Sequence, residues 1–162
     1  MKLFLKRDNS GEDARFVVFD ETGRQKYSVK GKRSVAADNM VITLPYGKPL
    51  VTLKVCTFHF FSVFSVKSGC ERFVITLTGM PHNPEYRFHG LCWRVCRFSP
   101  DRNFTVIDID NSLIMKQKTL RNYDDNYYEL TIMNEERELI CVATAICADV
   151  VNYLTLAAAA PV

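Results

Sequence analysis

The sequence predicts a mostly β fold of the α+β class, a closed antiparallel barrel of about twelve strands around one hydrophobic C-terminal helix. Three observations carry this. Short alternating segments rich in Val, Ile, Phe, Tyr and Thr fill the chain up to Ile132 with no sustained helical period. At Asn134 the texture changes to a single long apolar run, ending in ICVATAICADVVNYLTLAAAA. And about twelve strands exceed what usually stays an open, strongly twisted sheet, so closure is expected.

The strands follow from their punctuation. KLFLKR (Lys2–Arg7) comes first, then ARFVVFD (Ala14–Asp20), the turn ETGRQ, and KYSVKG (Lys26–Gly31). NMVITLP and PLVTLKVC flank the turn YGK, and HFFSVFSVK meets ERFVITL across SG. After the irregular TGMPHNP come EYRFHG, CWRVCRFS, NFTVIDI, SLIMKQ and YYELTI (Tyr127–Ile132). Alternation puts Tyr27 and Val29 on one face of their strand. The same holds for Met40, Ile42 and Leu44, for Phe73, Ile75 and Leu77, and for Tyr128, Leu130 and Ile132. Hairpin-short connections make the sheet mainly antiparallel. No Pro- or Gly-rich linker divides the chain, so one domain over residues 1–162 is expected, with strands in 1–133 and the helix at about 135–158.

The helix has a legible start. Asn134 can cap it, Glu135 and Glu136 lie in its first turn, and Pro161 closes it. Leu139 to Leu156 is apolar on every side except at Thr144, Asp149, Asn152 and Thr155. Such a helix is either a membrane span or the centre of a protein. Asp149 in its middle costs roughly 2.5–3.5 kcal/mol on insertion, and the flank EERE is acidic. A twelve-stranded barrel about 24 Å across leaves a bore of about 10–12 Å once inward side chains are placed, the width of one helix. The buried reading explains both oddities, and it requires that Asp149 find donors inside the barrel or lie near its mouth.

Several strings, in this order, resemble the LURP-one-related family: FVVFDETGRQKYSVKG (Phe16–Gly31), HGLCWRV (His89–Val95) with its Gly-x-x-Trp at Gly90 and Trp93, YYELTI, and ELICVATAICADVV (Glu138–Val151). The barrel of that family belongs with the tubby C-terminal domain and the phospholipid scramblases. The resemblance implies twelve strands closed around a hydrophobic helix, tubby C-terminal-domain-like. In scramblases the corresponding helix has been described as a membrane span, whereas in tubby it fills the barrel. Asp149 and the acidic flank favour the second arrangement here.

Composition narrows the function. Hydrophobic residues make up 48% and charged ones 24%, the balance of a globular domain. A net charge of +3 and a pI near 8.5 fall short of a nucleic-acid binder, so no nucleic acid is expected. MKLFLKRDNSGED does not build the apolar core of a secretory signal, so a cytoplasmic location is expected, with peripheral membrane contact where lipid is bound. There the six cysteines remain reduced.

Cys56 with His59, and His89 with Cys92 and Cys96, do not make a zinc site, because strand positions four apart lie about 13 Å from each other. DIDNS (Asp108–Ser112) starts like a calcium loop but has Leu113 and Thr119 where glycine and glutamate belong. Asp124 and Asp125 resemble the position of the scramblases' acidic calcium segment, yet two carboxylates suit a solvated turn better. No metal and no cofactor is therefore expected. His59, His82 and His89 have no partner spacing for a nucleophile-base pair, and no nucleophile elbow or phosphate loop is present, so no catalytic residue is assigned and a non-enzymatic protein is expected. Lys30, Lys32 and Arg33 cluster at a strand end, as do Lys116, Lys118 and Arg121 near another. Tubby holds phosphoinositide head groups with basic barrel-surface residues, so the resemblance implies an anionic-lipid role, for which Lys30, Lys32 and Arg33 are the candidates. No tubby binding motif matches residue by residue. The alternatives are a barrel whose partner is another protein, with lipid irrelevant, and a scramblase-like membrane-anchored protein.

Overall fold

The computed structural model describes residues 1–7, 14–32, 37–58, 61–80, 83–96, 99, 101–120 and 127–158, apart from the side chains of 14, 15, 32, 37, 38, 58, 79, 80, 83 and 151–158. Twelve strands are present: β1 (Lys2–Arg7), β2 (Ala14–Asp20), β3 (Gln25–Lys32), β4 (Ala37–Thr43), β5 (Pro49–Phe58), β6 (Phe61–Ser68), β7 (Glu71–Met80), β8 (Asn83–His89), β9 (Trp93–Cys96), β10 (Phe104–Asp108), β11 (Leu113–Thr119) and β12 (Tyr127–Ile132). Each pairs antiparallel with its sequence neighbour, and β1 also pairs with β12, which closes the barrel. The seam is held at its end by reciprocal bonds, Met1 N to Ile132 O at 3.0 Å and Ile132 N to Met1 O at 2.9 Å.

Alternation sets the inner face. Tyr27, Val29, Met40, Ile42, Phe73, Ile75, Leu77, Tyr128, Leu130 and Ile132 are all buried, as their period of two requires. Leu44, just past the strand, keeps that pattern, half-buried and packed against the core. Against β5 the register shifts between Ile42 and Thr43, passing over Leu50, while against β3 Thr43 stays in register opposite Ser28. Gly31 is an inward position where any side chain would collide, because a Cβ there would lie 2.5 Å from Asn39 O and 2.7 Å from Met40 Cγ. The glycine leaves its partner Met40 the space that Met40 fills.

The bore is filled by α1 (Glu138–Ala158), which follows a 3-10 turn over Glu135–Arg137. Asn134 caps that turn, its side chain accepting from Glu136 N at 2.9 Å. Ile140 to Val150 are buried on every side of the helix, so the barrel wall surrounds this stretch completely. Thr144 satisfies its hydroxyl within the helix, donating to Ile140 O at 2.9 Å. Among the described residues, no helix is long and apolar enough to cross a membrane.

Antiparallel order places strand ends at two rims. The helix enters at the proximal rim, beside Met1, Asp20, Ser68, Glu71 and Ile132; Arg7, Phe104, Thr119 and Tyr127 end strands at the distal rim. Four hairpins share one turn, in which the fourth residue donates to the first carbonyl and the next residue closes the pair. The fourth residue is left-handed in each: Gly23 (φ 78°), Gly47 (φ 87°), Arg102 (φ 62°) and Asn111 (φ 67°).

Candidate functional site

Polar groups inside the barrel lie at the two ends of the enclosed helix. Near the proximal rim Glu138 is buried and meets Lys26 Nζ at 2.7 Å, with the Tyr27 hydroxyl alongside. Burial first, then the Glu138 charge, holds the Tyr27 phenol far above its ordinary range. Near the distal rim Asp149 accepts a hydrogen bond from the Tyr128 hydroxyl. Two guanidiniums stand within ion-pair range, Arg7 Nη2 at 3.5 Å from Oδ2 and Arg102 Nη1 at 3.5 Å from Oδ1. Arg102 also donates to the Tyr128 oxygen at 2.8 Å, and Gln117 Nε2 donates to Arg102 O at 3.0 Å. Burial and the neighbouring Asp149 charge raise the Tyr128 phenol, so at neutral pH it is a donor. Glu138 and Asp149 are eleven residues apart, about three turns, and therefore share one stripe of the helix. Each has an aromatic hydroxyl and a cation, so the pair fixes the helix's depth and rotation. The barrel thus meets the donor requirement that burial imposes on Asp149.

The outer surface separates charge by location. Most described carboxylates gather at the proximal rim, at Asp20, Glu21, Glu71, Asp108, Glu135 and Glu136 among others, while Asp101 is exposed in a turn at the distal rim. Along the wall between the rims only Glu85 and Glu129 appear among the described outward side chains, paired with Arg87 at 2.9 Å and Lys2 at 3.0 Å. The wall made by β3 to β7 has outward cations and no described outward carboxylate. One row runs Lys30, Val41, Thr52, Lys67, Arg72 across five strands, and the next contains Asn39, Lys54, Ser65 and Val74. Lys30, Lys54, Lys67 and Arg72 are exposed, and none has an ion-pair partner among the described residues. Lys67 and Arg72 are direct cross-strand neighbours. A like-charge pair in that position destabilises a sheet, by up to about 1 kcal/mol.

Of the sequence-derived candidates, Lys30 is on this wall. Lys32 pairs through its backbone with Asn39 on the same side; its side chain, and the whole of Arg33, lie outside the described residues. Lys116 and Lys118 are exposed on β11, away from Lys30, and Lys118 stands opposite Glu129. Arg121, Asp124, Asp125, His59 and His82 also lie outside the described residues. His89 Nε2 lies 3.1 Å from Thr76 Oγ1 on the outer wall. All six cysteines are free, with Cys141 and Cys147 buried on the helix. No group of three metal-ligating side chains occurs among the described residues. Lys54, Lys67 and Arg72 were not singled out by sequence. Alternation already turns them outward, but only the register brings them beside Lys30.

Comparison with known proteins agrees with this architecture. The LURP-one-related family profile matches residues 1–149, almost the whole chain. The chain belongs to the LURP-one-related family. The uncharacterized protein YxjI of Bacillus subtilis (strain 168) is 26% identical over 157 residues, covering 94% of each chain. A solved X-ray structure of a protein from Arabidopsis thaliana superimposes with a TM-score of 0.59 at 18% identity, covering 92% of this chain and 91% of that one. That likeness is one of fold. The Gly-x-x-Trp of this LURP-one-related barrel has a structural reason: Gly90 is left-handed (φ 90°), a Cβ there would lie 3.3 Å from Arg72 O, and the turn delivers Trp93 to the core against Phe88.

Proposed function

We propose that this LURP-one-related protein is a non-enzymatic binding module that holds anionic phospholipid head groups at the cytoplasmic surface of a membrane, through the outer wall of β3 to β7. One observation carries the reading: Lys30, Lys54, Lys67 and Arg72 form an exposed cationic field at outward positions that hold no described carboxylate, including a like-charge cross-strand pair, while the neighbouring Glu71 at the rim end of β7 is paired with Arg137. The fold gains nothing from that pair, and an external anion offsets its repulsion. Because the helix occupies the bore, the outward strand positions are what the barrel offers a partner. Free cysteines are in keeping with a reducing compartment.

Each exposed cation close to an anionic leaflet contributes about 1 kcal/mol, screened over ~8 Å at physiological salt. Vesicle sedimentation tests this directly. The protein is expected to pellet with phosphatidylserine-containing vesicles at low salt, to be released as salt rises, and to ignore neutral phosphatidylcholine. Replacing Lys30, Lys54, Lys67 and Arg72 together by Gln is expected to abolish pelleting without lowering the melting temperature. A parent protein that fails to pellet with anionic vesicles at low salt refutes the lipid reading and favours a protein partner.

A further inference from the structure

At the proximal edge of the same wall, the β4–β5 hairpin ends in the turn Leu44–Lys48. Tyr46 at its tip is 97% exposed, the highest exposure among the large hydrophobic side chains described. The turn is rigid: Gly47 N donates to Leu44 O at 2.9 Å and Leu44 N donates to Lys48 O at 2.9 Å. Pro45 presets the first corner, and Gly47 supplies the left-handed residue at φ 87°. Turn geometry therefore needs Pro45 and Gly47 but asks nothing of position 46, where a small polar residue is the ordinary choice. A large amphipathic ring is held in water there, and the backbone presenting it has no ordering cost left to meet on binding.

We infer that Tyr46 is a membrane-inserting tip and that the barrel docks on its β3–β7 wall with the β4–β5 hairpin leading, which holds the acidic β10–β11 hairpin, on the opposite side of the proximal rim, away from the lipid. The inference rests on the head-group reading above and adds the orientation and the apolar contact. Tyrosine is the side chain suited to this depth, its ring among the upper acyl carbons and its hydroxyl among the head groups. Lys48, exposed two residues along, lies at head-group level with it. The row of Lys30, Lys67 and Arg72 begins four residues above Lys48, level with Thr52, about 10–13 Å up the wall. That is close to one Debye length from the surface at moderate salt, roughly 10 Å, where those cations are still attracted. Charge brings the wall to the leaflet, and the ring gives the complex a component that salt does not remove.

The test uses the full chain with Tyr46→Trp and Tyr46→Ser; the side chain is solvent-exposed, so both variants keep the fold. The parent has a single tryptophan, Trp93, which is buried and supplies the background. With phosphatidylserine vesicles carrying brominated acyl chains, the added emission of Tyr46→Trp is expected to shift blue and be quenched most by bromines near the head groups. Tyr46→Ser is expected to weaken binding roughly threefold to tenfold, a loss that persists in high salt. If the parent binds anionic vesicles while Tyr46→Ser binds equally well and Tyr46→Trp stays unquenched, the tip inference is overturned and the head-group reading stands. If the parent does not bind at all, both fall.

Discussion

Replacing Asp149 by alanine removes the carboxylate from the distal end of the bore and leaves its neighbours in place. Asp149 is 2% exposed, and the hydroxyl that donates to it belongs to Tyr128, itself 1% exposed. Without the acceptor that hydroxyl proton is stranded, which costs about 1–3 kcal/mol. Arg7 and Arg102 lose their shared counter-charge as well. Removing one partner of a fully buried pair costs about 3–5 kcal/mol, but these side chains are 12% and 24% exposed and water at the rim relieves part of it. The expected total is about 3 kcal/mol, a lowering of the melting temperature by roughly 6–12 °C in a domain of this size. Asp149→Asn should fall between alanine and the parent, because it keeps an acceptor for Tyr128 while aiming an amide donor at Arg7. Urea unfolding followed by circular dichroism gives the midpoint and slope for each variant. Combining Asp149→Ala with Tyr128→Phe should show a coupling above about 1 kcal/mol, since either change alone already breaks the bond. An Asp149→Ala midpoint within about 0.5 kcal/mol of the parent at unchanged slope would mean that the three donors satisfy themselves without the carboxylate, and the anchoring argument would be wrong.

Two further outcomes follow from the same interior. Arg102 is left-handed at φ 62° although it is not glycine, so Arg102→Gly should be more stable than Arg102→Ala by about 1 kcal/mol, both having lost the guanidinium; equal stabilities in urea would show that the turn carries no strain. Burial first, and the nearby Glu138 charge second, push the Cys141 thiol from 9.0 up to about 12. Its folded value is raised, so its contribution to stability is complete below pH 9 and is lost as pH climbs toward 12. Melting temperatures should therefore decline through that window, and less steeply in Cys141→Ala; identical pH profiles would contradict the burial.

Most of the architecture was readable because a barrel repeats one instruction. Each strand alternates, several turns carry a glycine or Asx signal, and closure follows from strand number, so many weak signals reinforce each other. Asp149 was legible as a problem, being a charge in an apolar helix, but Tyr128 and Arg102 were not legible as its answer. They come from a strand and a turn that closure brings together, 21 and 47 residues before it in sequence. Glu138 did have a signal. Two acids three turns apart on an otherwise apolar helix must share a stripe, and one of them demanding a partner implies the same of the other. The wall is the opposite case. Lys54, Lys67 and Arg72 look like ordinary solubilising charges one strand at a time, and their adjacency exists only across strands.

Both halves of the molecule follow from one constraint. A twelve-stranded barrel cannot fill its own bore with strand side chains, so the chain must supply a helix apolar on every side. A featureless apolar helix in an apolar tube has no preferred depth or rotation, and dispersion contacts change little as it slides. Polar keys are the economical way to select one position, because a displaced carboxylate loses its partners at a cost of several kcal/mol. Using two keys, Glu138 at one rim and Asp149 at the other, fixes translation and rotation together. That solution consumes the interior. Ile140 to Val150 are enclosed on all sides, and the inward strand positions pack against them. Variation that leaves the core intact is then confined to outward strand positions and turn tips, each of which can change without disturbing a packed neighbour. On such a scaffold an uncompensated cross-strand pair such as Lys67 and Arg72, or a bare aromatic tip such as Tyr46, has no role in folding to explain it.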